Sequence, residues 1–83
     1  MDPEPDATTR AHLVDFGRNL RTLREARGLT QETLAHQAGL HRAVVGFIER
    51  AEREVGIGTV WPLAEALGVQ PAELFPVPDW DHT

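Results

Sequence analysis

Residues 29–49, LTQETLAHQAGLHRAVVGFIE, decide the fold. Leu34, Ala35, Ala38 and Leu40 place small or apolar groups around Gly39, and Val44, Val45 and Ile48 place the next set beyond it. Both sets recur at helical spacing. The Thr30 hydroxyl can cap a helix of about Thr30–Ala38, and Glu32 suits the positive end of that helix's dipole. Gly39 can stop the helix in the left-handed conformation, which turns the chain sharply. A following helix, about Arg42–Arg50, starts within a few residues of that stop and must cross the first steeply.

Upstream, Leu13, Phe16, Leu20 and Leu23 form one apolar stripe. They predict a helix capped by Thr8 or Thr9, running to about Arg27 and ended by Gly28. Downstream, Val60, Leu63, Ala64 and Leu67 mark a helix closed by Gly68. Its start belongs near Gly58 or Thr59, so that Pro62 falls in the first turn, because an interior proline costs about 3 kcal/mol. Pro71 at an N1 position opens a short helix, Pro71–Phe75, which Pro76 and Pro78 terminate. With short loops and no strand signal, the expectation is an all-α, compact five-helix domain over residues 9–76. An acidic, disordered tail (1–8) precedes it and a short tail (77–83) follows.

Folding a chain of 83 residues hides only about 60–65% of the surface it exposes unfolded, so a partner subunit would help. The absence of cysteine leaves neither a disulfide framework nor a thiolate metal site. No apolar run reaches the ~20 residues of a membrane span, and the acidic start MDPEPDATTR is unlike a signal peptide. A cytoplasmic, nucleoid-associated protein is expected. No H-x-x-x-H pair, Gly-rich phosphate loop or nucleophile elbow occurs, so neither enzyme activity nor a cofactor is expected.

The net charge of −5 hides a division. Residues 8–53 hold all eight basic residues against five acids, a net of +3, while the two flanks hold eight acids and no base. A basic middle between acidic ends points to one binding face for an anionic partner. Every basic residue is arginine, whose fork suits phosphate and guanine, although genomic base composition explains the lack of lysine equally well. Two short helices joined by so tight a turn make a helix-turn-helix, whose second helix is shaped for the DNA major groove.

The run LRTLREARGLTQETLAHQAGLHRAVVGFIERAER, followed by TVWPLAEALGV, resembles the phage Cro and repressor class (XRE family) of helix-turn-helix domains over about residues 13–75. Within the class, the compact size and the GLHR…IER wording resemble controller proteins of restriction-modification operons. They also resemble stand-alone regulators and small antitoxins. The resemblance implies a dimeric transcriptional regulator, such as a repressor, on double-stranded, palindromic operator DNA. The alternative is an antitoxin or adaptor whose main partner is a protein.

Matching positions acquire roles by that resemblance. Gln31 would touch a phosphate, Arg42 would read base edges, and His41 and Ala43 would flank it. Arg50 and Arg53 would approach the sugar-phosphate backbone. A bidentate Arg42–guanine contact is worth about 1–3 kcal/mol of discrimination. His41 could equally cap its helix, and Ala43 could merely leave room. Phe47 stands where a polar residue is common, Gly46 where serine is common, and Ala51 where glycine ends the helix. Phe47 either covers the rim between the third and fourth helices or meets thymine methyls. Gly46 serves close packing or close DNA approach. Arg24 and Glu49 match a partly buried pair that ties the first helix to the third. Arg18, Arg21, Arg24 and Arg27, three apart, could add a weak phosphate field. Trp61, off the core face, with Phe75 and Trp80, suggests a homodimer contact, unless they cover the monomer's own core.

Overall fold

The structure is a computed structural model and describes residues 6–76. The chain forms α1 (Ala7–Ala26), α2 (Gln31–Gln37), α3 (Val44–Glu49), α4 (Ile57–Leu67) and a 3-10 helix, Pro71–Leu74, with no strand among the described residues. Each element sends a large, fully buried side chain to a common core: Leu20, Leu34, Val45, Leu63 and Leu74. Burying such a side chain stabilises the fold by about 1.5–3 kcal/mol.

The start of α1 differs from expectation. Asp6 is the cap, not Thr8 or Thr9; its carboxylate accepts the Thr9 N–H at 2.8 Å. An aspartate one turn upstream satisfies an orphan N–H, so Thr8 and Thr9 join the helix. α2 begins as expected, with the Thr30 hydroxyl accepting the Thr33 N–H at 3.0 Å.

The third helix is shorter than expected and starts at Val44, not Arg42. His41 Nδ1 accepts the Ala43 N–H at 3.2 Å, and the His41 carbonyl accepts the Val44 N–H at 3.0 Å. These bonds close a turn over residues 41–44, so Arg42 stands in the turn ahead of α3. α4 starts earlier than expected, at Ile57, which puts Pro62 inside the helix and beyond its first turn. The carbonyl that Pro62 leaves without a donor belongs to Gly58, where the chain is exposed to water. The fifth helix is a single 3-10 turn. Pro71 opens it as expected, but Phe75 is already extended.

Four helices end in the same way. After α1, α2 and α4 a glycine takes the left-handed conformation: Gly28 (φ 68°), Gly39 (φ 70°) and Gly68 (φ 71°). After α3, Ala51 takes it, at φ 56°. The Glu52 N–H donates to the Phe47 carbonyl at 2.9 Å and the Ala51 N–H to that of Ile48 at 3.0 Å, a complete Schellman motif. The alanine at the exit of the third helix therefore makes the same left-handed stop as the three glycines.

α1 meets α3 at Gly17. A Cβ there would collide with the Ile48 carbonyl oxygen and lie 2.9 Å from that of Glu49. Nearby, Asn19 Nδ2 donates to the carbonyls of Glu73 and Leu74, both at 2.8 Å, tying α1 to the end of the 3-10 helix.

Candidate nucleic-acid interface

The polar hinge of the helix-turn-helix is a buried ion pair. Arg24 Nε lies 2.7 Å from Glu49 Oε2, and Nη2 donates to Oε1 at 3.1 Å. Arg24 Nη1 donates to the Leu29 carbonyl at 2.7 Å. The Glu49 hydrogen bonds hold the Arg24 guanidinium, already protonated at any working pH, further toward its charged form. The pair joins α1, the loop before α2, and α3. It removes Arg24 from the row of arginines on α1, and Arg21 is paired with Glu25 at 3.2 Å.

Gln31 belongs partly to this network. Its Nε2 donates to Glu49 Oε1 at 3.0 Å, which fixes the amide at the first position of α2. The Gln31 amide oxygen faces Gly46: a Cβ on Gly46 would lie 3.2 Å from it and 2.8 Å from Arg50 Nη1. Gly46 is thus the point where α2 and the arginine that follows α3 converge, which accounts for it by close packing of side chains.

The remaining residues fall into two groups, one at each end of α3. At its N-terminal end, the His41 ring caps the turn, half-buried Ala43 is the N-cap, and Arg42 is exposed. Among the described residues Arg42 has no acid within ion-pair distance. It lines a shallow depression with Glu32, Thr33, His36, Leu40 and His41. At the C-terminal end, the Arg53 guanidinium carbon lies 4.2 Å from the centre of the half-buried Phe47 ring, and that of Arg50 lies 5.8 Å from it. Arg50 Nε also pairs with Glu52 at 3.1 Å. Phe47 is accordingly seated under arginines.

Trp61 is 51% exposed on α4, one turn after Ile57, which is 70% exposed. Phe75 is 50% exposed and packs edge-on against Phe16, ring centres 5.1 Å apart. Trp80 lies outside the described residues. Among those described, no group of His, Cys, Asp and Glu could hold a metal ion, and no helix is long and apolar enough to cross a membrane.

The sequence reading passed over Gly17, Asn19 and the Phe47–arginine stack. Gly17 had a signal: a glycine on the apolar stripe of a helix costs about 1 kcal/mol against alanine, which close helix contact explains. Asn19 had none, because its acceptors lie 54 and 55 positions away.

Residues 20–74 match the HTH_3 helix-turn-helix family model. The chain is 38% identical over 61 residues to the control protein C.BamHI of Bacillus amyloliquefaciens, covering 72% of this chain and 75% of that one. It is 43% identical over 57 residues to the control protein C.SmaI of Serratia marcescens, covering 69% and 68%. The crystal structure of the restriction-modification controller protein C.AhdI from Aeromonas hydrophila superimposes with a TM-score of 0.76 at 52% identity, covering 78% of this chain and 98% of that one. On the ion-paired scaffold, the steep α2–α3 turn and these relationships, the chain belongs to the helix-turn-helix family of DNA-binding transcriptional regulators.

Proposed function

We propose that the protein is a sequence-specific regulator of transcription that binds an operator as a symmetric dimer, as suits a controller of the restriction-modification kind. α3 enters the major groove of one half-site, and the half-sites are spaced about one helical turn, ~34 Å. Arg42 reads base edges from the turn ahead of α3, where no carboxylate among the described residues lies within ion-pair distance and the His41 cap fixes the backbone. Ala43 leaves room for close approach. Gln31, Arg50 and Arg53 contact phosphates and set the register. Trp61 and Phe75 form the contact between subunits.

The observation that carries this reading is the exposed Arg42, without an ion-pair partner among the described residues, on a turn fixed by a side-chain cap. A backbone fixed in this way leaves only the side chain of the arginine to be ordered on a guanine edge. The test is selection of duplexes from a random pool, followed by binding of wild type and Arg42→Ala to the selected and to unselected DNA. An inverted repeat should emerge. Arg42→Ala should weaken selected DNA by about 10–100-fold, the equivalent of ~1–3 kcal/mol, and leave unselected DNA nearly unchanged. Equal losses on both would refute base reading by Arg42. Wild-type protein that selects no sequence, yet captures a protein partner, would favour the antitoxin or adaptor reading.

A further inference from the structure

We infer that Phe47 is a positioning residue: its ring orders Arg53 and Arg50 for the DNA backbone and does not itself read bases. The inference rests on the DNA-binding reading above.

Both guanidiniums lie within the roughly 6 Å at which an aromatic face attracts a cation, at 4.2 Å for Arg53 and 5.8 Å for Arg50. Arg53 has no acid within ion-pair distance among the described residues, so the ring is what fixes its head group. Arg50 is held by three features together: Glu52 at 3.1 Å, the edge of the Phe47 field, and the space over Gly46. Any side chain at 46 would displace the Arg50 guanidinium, since a Cβ would sit 2.8 Å from Nη1 and 3.3 Å from Nη2.

Gly46 and Phe47 are therefore one device. The glycine clears room for one arginine and the aromatic ring seats both. A long arginine side chain must lose rotational freedom when it docks on phosphate, and a guanidinium already stacked loses less. What the DNA meets at this position is stacked cation, not bare hydrocarbon. Specificity is thereby left to Arg42 and to the shape of the DNA, which correctly placed backbone contacts can sense.

The test uses the full chain, a duplex selected by the wild type, and an unrelated duplex, with affinity followed across a salt series. Phe47→Leu keeps an apolar side chain without a π face, and Phe47→Tyr keeps the face. Phe47→Leu should weaken both duplexes by a similar factor, ~5-fold, and lower the salt slope by about one unit, the loss of roughly one phosphate contact. Phe47→Tyr should restore both. In the free wild-type protein, the Arg53 side-chain NMR signals should show a ring-current shift. A loss confined to the selected duplex would make Phe47 a base contact and overturn the inference. So would an unchanged salt slope in Phe47→Leu, or unshifted Arg53 signals in the wild type, which need no variant to fold. Wild-type protein that enriches no duplex and does not bind the unrelated one instead overturns the DNA-binding reading, and the Arg53 shift then reports on the stack separately.

Discussion

Gly17 and Ala51 show how single residues set this fold against their local preferences. Gly17 lies mid-helix, where alanine is favoured by about 1 kcal/mol, yet a methyl there would run into the backbone of Ile48 and Glu49. A helix backbone cannot move aside as a side chain can. Gly17→Ala should therefore destabilise the protein by about 1–3 kcal/mol, the range of overpacked cores, with a lower denaturant midpoint. Unchanged or raised stability would show that α1 and α3 are not in close contact. Ala51 makes the opposite compromise. A non-glycine residue in the left-handed region costs about 1–2 kcal/mol, but Ala51 is only 4% exposed, so its methyl returns part of that through burial.

At the scale of elements, the ends of the helices carry the information. α1 is the longest helix, and its N-terminal turn hangs on one ionised side chain, Asp6. The hydrogen bond from the Thr9 backbone holds the Asp6 carboxyl below its usual range. A group whose folded pKa is depressed stabilises above its unfolded value, ~3.9, and that contribution disappears as pH falls through the lower, folded value. The first turn of α1 should therefore be constant from neutral pH down to about pH 5 and loosen below about pH 4. Amide exchange and the chemical shift of Thr9 would follow it. Asp6→Asn, which caps without titrating, should flatten the response. A Thr9 amide indifferent to acid in the wild type would exclude the cap. At α3 the end is set by His41, whose ring nitrogen takes the Ala43 N–H in the turn that holds Arg42 ahead of the helix.

Across the whole molecule, the core joins all five elements, while apolar surface remains on one side of α4 and at Phe75. An apolar groove of about 350 Å³ adjoins it, with Phe16, Ile57 and Phe75 among its walls. Exposed apolar groups gathered in this way mark an interface more often than a solvent face. If subunits associate there, Trp61→Glu should shift the protein to monomer in sedimentation at tens of micromolar while its helical content is retained. Operator affinity should fall with it, because one subunit holds one half-site. A Trp61→Glu protein that remains dimeric would move the interface elsewhere.

The sequence by itself determined which segments are helices and where most of them stop. Those choices are local: apolar groups at a spacing of three and four, a threonine cap at Thr30, and glycines at 28, 39 and 68 that accept positive φ. The residues of the candidate interface were legible through the family resemblance, as was the Arg24–Glu49 pair. The start of α3 and the seat of Phe47 come from neighbours within six residues, the His41 turn and the arginines past the helix. Tertiary structure alone decided why residue 17 must lack a side chain and why Gln31 closes on Gly46. It also decided which arginines are free for a partner. Arg24 is neutralised by a carboxylate 25 positions away. That pairing depends on the angle at which α1 and α3 cross, and the angle is fixed only when the core closes around all five elements at once, whereas Arg53 meets a ring six positions earlier, across the turn that ends α3.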